Sequence, residues 1–280
     1  MLYSVDVLRC HSDIIMMRES CCMTENTTKT SIIGRKSPWA TRLWAFGLAA
    51  SVFLYLGGVS VRADDVDAAS KLYNGNALYN MKVYSAAMAE YRAFLAANSQ
   101  HAKADEARYG LALCLYGVGK HNEAEPLFRE LQKSSIIPDK QRIAVLLGEC
   151  VRKLRGSAEA DPIFDAATTL PGTNTYYRNM ALAYLVDGRF SLAKWKEAAE
   201  AADKALKILP AGDLAVRTAY QGAYARYQLA EMDAAAVGFE ALLNSITNTP
   251  LEGQVAFLWG ESLREGGKAK ASEAAYLQAA

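Results

Sequence analysis

Charge of one sign is missing from this sequence: 31 Lys and Arg stand against 30 Asp and Glu over 280 residues. Such a balance sets up no field to gather nucleic acid or anionic lipid, so neither is expected as a partner. Histidine is scarce, at three residues, and no His/Cys/Asp/Glu group has the spacing of metal ligands. A glycine-rich phosphate loop, a G-x-S-x-G elbow and an H-E-x-x-H pair are also missing. The carboxylates are scattered, and no two are singled out for acid–base work. These gaps speak against an enzyme and against any cofactor or metal. Proline is thin as well, with six residues from Asp64 onward, and long β-branched runs are lacking. That composition favours helices over sheets.

The first sixty residues read as targeting rather than fold. Leu43 to Val61 carries no charge, follows Arg35, Lys36 and Arg42, and ends in Val61-Arg62-Ala63 before Asp64-Asp65. A basic region, an apolar run and small residues ahead of an acidic start describe a signal peptide, cut after Ala63. The rival is a retained inner-membrane anchor, since the run is roughly long enough to span a ~30 Å core. Residues 1–42 are long for a leader, and a start at Met23 would give one of ordinary length. Setting aside residues 1–63 leaves 24 basic and 26 acidic side chains. It also leaves only Cys114 and Cys150 of the five cysteines.

The remainder repeats itself. Tyr84-Ser-Ala-Ala87-Met-Ala-Glu-Tyr91 aligns with His121-Asn-Glu-Ala124 through Phe128 and with Ser157-Ala-Glu-Ala160 through Phe164. Trp195-Lys-Glu-Ala198, Met232-Asp-Ala-Ala235 and Ala269-Lys-Ala-Ser272 continue the series. The small residues 87, 124, 160, 198, 235 and 272 are 37, 36, 38, 37 and 37 apart. Twelve places before five of them stands another small residue: Gly75, Ala112, Gly148, Ala223 and Gly260. Paired small residues let two antiparallel helices approach, and an aromatic four places after the second wedges them. Each unit is therefore a helix A, a short turn and a helix B. The fourth unit departs from the pattern: Ala198 comes seventeen residues after Ala181 instead of twelve, and about five extra residues, Arg189 to Ala193, read as a longer A–B turn or an extra helical turn.

These spacings resemble the tetratricopeptide repeat over residues 66–280, most closely at Tyr84–Tyr91 and at Lys204–Pro210. The period near 37 is similar to that of the family's bacterial-envelope branch. The resemblance implies an all-α superhelical solenoid of about six helix pairs; with the leader at 1–42 and the signal or anchor segment at 43–63, the solenoid takes 64–280. The chain stops within the sixth helix B, where a polar cap is normal, so the last repeat reads as truncated. Cys114 and Cys150 fall at equivalent places on stacked helices, roughly 9–10 Å apart. That exceeds the ~7 Å reach of a disulfide, so two buried thiols are expected.

In this family helix A builds the inner face. Carried onto this chain, that face includes Asn76 and Tyr79, then Tyr109, Leu113 and Tyr116, then Glu149 and Arg152. Tyr220, Tyr224, Tyr227 and Arg264 complete it. Tyrosine suits an interface, and the three tyrosines at 220–227 share one helical face. Leu72, Glu106 and Gly110 replace the basic and amide groups of a chaperone-tail clamp, which argues against that ligand. The expected function is a non-catalytic scaffold, exported to the periplasm, that binds a protein or peptide partner and assembles an envelope complex. The alternative is an accessory subunit of a secretion- or glycan-related enzyme. Membrane association is expected only if residues 43–61 are retained.

Overall fold

The computed structural model describes residues 63–280 apart from Thr173, Asn248 and Ala280. The expected leader and apolar run, residues 1–62, lie outside the described residues. All regular structure described is α-helix, in chain order α1 (Ala63–Asn80), α2 (Tyr84–Ala97), α3 (Ala104–Gly117), α4 (His121–Lys133), α5 (Lys140–Arg155) and α6 (Ser157–Thr169). Then follow α7 (Thr175–Ser191), α8 (Trp195–Leu206), α9 (Asp213–Gln228), α10 (Met232–Leu243), α11 (Glu252–Glu265) and α12 (Ala269–Ala279). Odd-numbered helices are the A helices and even-numbered ones the B helices. Each helix packs on the next, and α1 also meets α3, α5 meets α7, and α7 meets α9. None of the described helices is long and apolar enough to cross a membrane.

The A–B seam forms as the small-residue spacing dictates. Ala87, Ala124, Ala160, Ala198 and Ala235 are fully buried, and Ser272 is buried in the sixth unit. A Cβ added at Gly75 would stand 2.8 Å from the Tyr91 ring, and one at Gly148 2.5 Å from that of Phe164. At Gly110, in the next unit's helix A, it would stand 2.3 Å from Tyr91. The aromatic ring of helix B therefore wedges against both its own helix A and the following one. Bare backbone under the ring is what lets both contacts close.

The turns between A and B are built alike. Lys82, Gly119, Gly156, Ala193, Ala230 and Gly267 all have positive φ, one to each turn, and recur every 37 residues. In five of the turns the next residue's N–H donates across the helix end. Val83 bonds Leu78, Lys120 bonds Leu115, Lys194 bonds Arg189, Glu231 bonds Arg226 and Lys268 bonds Leu263. This is the Schellman closure, which satisfies the last helical carbonyls. The third turn is the single residue Gly156, against three residues in the others, and Gly156 there only donates to Arg152 O.

That regularity corrects the fourth unit. Arg189 to Ala193 are not an insertion: they are the end of α7 and a turn of the common type. The residue twelve before Ala198 is Val186, fully buried, and the residue four after Ala198 is Ala202, also fully buried. Large and small have exchanged places across the seam, so the spacing hides while the packing volume is kept. The extra residues sit at the opposite end, as a first helical turn beginning at Thr175.

The same turns carry a stability prediction. Alanine at positive φ costs roughly 1–2 kcal/mol relative to glycine. Gly119→Ala should therefore lower stability by about 1 kcal/mol. Ala193→Gly, at φ 54, should leave it unchanged or raise it. Urea midpoints of both variants check this, and equal destabilisation by the two would contradict it.

Candidate partner-binding face

Two residues flank each Schellman turn at fixed spacing, one near the end of helix A and one at the start of helix B. In three of the five turns both residues carry rings, and the turn brings them together. Tyr79 meets Tyr84 with ring centroids 5.8 Å apart, Tyr116 meets His121 at 5.5 Å, and Phe190 meets Trp195 at 5.5 Å. In the fourth and fifth units the rings run together. Tyr224 lies 5.6 Å from Phe190 and 6.0 Å from Trp195, and it stacks on Tyr220 at 6.0 Å. Tyr227 adds a further ring, 6.3 Å from Tyr224. Phe190, Trp195, Tyr224 and Tyr227 are each only half-buried. Together they make one aromatic surface with rings from α7, α8 and α9.

Tyr220 is placed differently from the expectation that these tyrosines point away from the core. It is 3% exposed, packs against Phe239 at 6.4 Å, and its hydroxyl accepts from Gln254 Nε2 at 3.0 Å. It supports the stripe from beneath, while Tyr224 and Tyr227 carry the accessible rings.

The middle of the face is polar and closed on itself. Arg152 donates from Nε to Glu149 at 2.7 Å and from Nη2 at 3.0 Å, and its guanidinium lies 5.5 Å from the Tyr184 ring centre. Glu149 is itself buried, so its charge is spent on Arg152 and not offered to solvent. Asp187 continues the row, accepting from Arg217 at 3.0 Å and from Gln221 at 2.6 Å. Burial raises the Tyr116 hydroxyl above its ordinary range, with the Glu149 charge adding to it. Burial also lowers the His121 imidazole, and Lys153 presses the same way.

Of the other expected residues, Asn76 is exposed and accepts from the Tyr91 hydroxyl at 2.7 Å. Leu113 is partly buried and packs on the core. Tyr109 is half-buried, with Arg142 5.6 Å from its ring centre. Arg264 is exposed and paired with Glu261 at 2.8 Å and Glu265 at 3.2 Å. The structure thus joins Tyr220, Tyr224 and Tyr227 in one cluster, and Tyr116, Glu149 and Arg152 in another. Asn76 and Tyr79 belong to neither. Sequence reasoning missed Arg142, Tyr177, Tyr184, Asp187, Phe190 and Trp195. Most of them lie in the fourth unit, whose register was misread. Gly119, Gly156 and Gly267 fall on one 37-residue grid and would have placed it.

Cys114 and Cys150 are both free and fully buried. Cys150 Sγ lies 3.8 Å from His121 Nδ1. Burial pushes the Cys114 thiol up to about 11 and the Cys150 thiol up to about 12. A thiol that is both shielded and protonated is a poor nucleophile. Neither should react with iodoacetamide at pH 8 in the folded chain, and both should react in urea. Fast native labelling read by intact mass would contradict this.

No protein-family model matches the chain, and no curated protein matches it in sequence. Solved structures do match. A tetratricopeptide repeat protein from Parabacteroides merdae superposes with a TM-score of 0.53 at 13% identity, over 75% of this chain and 77% of that one. The fold is that of the tetratricopeptide repeat. A crystal structure of MamA protein gives 0.51 at 14% identity, over 63% of this chain and 90% of the other. At such identities the likeness is one of fold, and the inner-face side chains of the solenoid are this chain's own.

Proposed function

We propose that this solenoid is a non-catalytic scaffold of the cell envelope that holds a protein or peptide partner on its helix-A face and helps assemble a complex. The observation that carries the reading is the aromatic surface of Phe190, Trp195, Tyr224 and Tyr227. Half-buried rings packed against one another at T-shaped and tilted angles offer a large contact area at little cost in side-chain freedom, because their neighbours already hold them. The groups that could do chemistry point the other way. Glu149 is engaged by Arg152 and Cys150 is protonated, so the face favours holding over turnover. Export rests on the basic leader and the uncharged run at 43–61, with cleavage after Ala63 and a periplasmic location.

A photo-crosslinking residue placed at Tyr224, in cells carrying the chain, tests the scaffold. It should give a discrete protein adduct that is missing when the same probe replaces exposed Glu200 on α8. No adduct at 224, or the same one from both positions, would remove the support for this face. Recovery by osmotic shock of a chain beginning at Asp64 tests the location, and a membrane-bound chain retaining 43–63 would replace it with the anchored alternative.

A further inference from the structure

We propose that Arg142 anchors a single carboxylate of the partner, supplied by an Asp or Glu side chain within a bound peptide segment, at a position set by Tyr109 and Tyr177. The proposal rests on the scaffold reading above and names the chemistry it recognises. Arg142 differs from the other partly buried arginines of this chain. Arg108 pairs with Asp105 at 2.7 Å, Arg152 with Glu149 at 2.7 Å, Arg189 with Asp161 at 3.1 Å and Arg217 with Asp187 at 3.0 Å. Arg142 has no ion pair among the described residues, and its Nε is buried without an acceptor. A guanidinium partly withdrawn from water and paired with no carboxylate gains from an anion that reaches its accessible side.

The position is organised as well as incomplete. The guanidinium lies 5.6 Å from the centre of the Tyr109 ring and 5.4 Å from that of Tyr177. Those rings come from α3 and α7, on either side of α5 in the sequence of A helices, so three consecutive units hold one side chain. Cation–π contacts fix the arginine without neutralising it. Little conformational freedom is then left to lose when an anion binds. Burial raises the Tyr109 hydroxyl well above its ordinary value, against the pull of Arg142, and keeps it a neutral donor beside the guanidinium.

The neighbourhood also selects the anion. Asp139 caps the start of α5 by accepting from the Arg142 amide at 3.0 Å. A carboxylate brings one charge into that site and matches the guanidinium fork. A phosphate dianion would bring two beside the Asp139 charge.

An array of random twelve-residue peptides, probed with the full chain, tests this. Retained peptides should share one Asp or Glu. Replacing it by Asn or Gln should weaken wild-type binding about ten- to hundredfold. The same replacement should make no difference to the Arg142→Gln chain, and Arg142→Lys should recover part of the loss. The peptide-side change needs only the wild-type protein, so it stands even if Arg142→Gln folds poorly. Retained peptides that tolerate the amide without loss, or phosphopeptides preferred over acidic ones, would overturn the proposal and leave the scaffold intact. Retention of no peptide would overturn it too; the crosslink at position 224 then decides separately whether the scaffold reading survives.

Discussion

Phe164→Ala should be the most damaging single change in the solenoid, lowering stability by about 3–5 kcal/mol. The ring is 1% exposed and lies against the backbone of Gly148 on its own helix A and 5.2 Å from the Tyr184 ring on the next. Removing it opens a cavity at a place where two units share one side chain. The surrounding helices cannot collapse into that space without giving up the turn geometry that spaces them. The loss should also spread. In a stack where each repeat touches only its neighbours, weakening one interface uncouples the halves it joins. Thermal unfolding followed by circular dichroism should then broaden or split into two steps as well as shift down. A single sharp transition near the wild-type temperature would mean that the ring does not wedge the two units together.

The converse change tests the same contact from below. Gly148→Ala puts a methyl where only 2.5 Å separates it from the Phe164 ring, and should cost roughly 1–3 kcal/mol through overpacking. In combination with Phe164→Leu, which shrinks the facing side chain, the two effects should fall short of additive, as expected for residues in contact.

The wedge also explains what could be read from sequence and what could not. Residues facing each other across a seam must match in size. Gly75 with Tyr91, Ala112 with Phe128 and Gly148 with Phe164 follow one pattern, so the repeat was legible in those units. The fourth unit satisfies the same condition with Val186 and Ala202, and a search for small residues at fixed places passes over it. The turn geometry does not depend on size, and the positive-φ grid through residues 119, 156, 193, 230 and 267 runs through that unit unbroken. Backbone conformation was therefore the more faithful marker of register. Site residues were less legible for a related reason. Helical spacing says which positions share a face, but not how deep each lies. Tyr220 and Tyr224 are one turn apart on α9, yet one is buried under Gln254 and Phe239 and the other is not. Arg142 gives no sign in the sequence that it lacks a carboxylate: Asp139 stands three residues before it, the spacing at which Asp105 pairs with Arg108 and Glu149 with Arg152, but its side chain caps the helix instead.

That difference in depth sets the second large effect, on binding. Tyr224→Ala with Tyr227→Ala should weaken capture of the native partner by about 2 kcal/mol or more, which is roughly thirtyfold, while shifting the melting temperature little. Both rings are half-buried, and neither is the only contact its neighbours have: Phe190 and Trp195 still pack together at 5.5 Å when Tyr224 is gone. Tyr220→Ala should behave in the opposite way. It removes a side chain that is 3% exposed and holds α9 to Phe239 and Gln254, so it should cost about 3 kcal/mol of stability or more. Its effect on capture should come through the folded fraction and the lost support beneath Tyr224, not through a contact of its own with the partner. The partner is the protein crosslinked at position 224, and affinity is measured on chains whose circular dichroism matches wild type. If the double variant binds normally with its fold intact, the aromatic surface is not the recognition site. Recognition then passes to the tyrosine-flanked Arg142, three units wide and lacking only its anion.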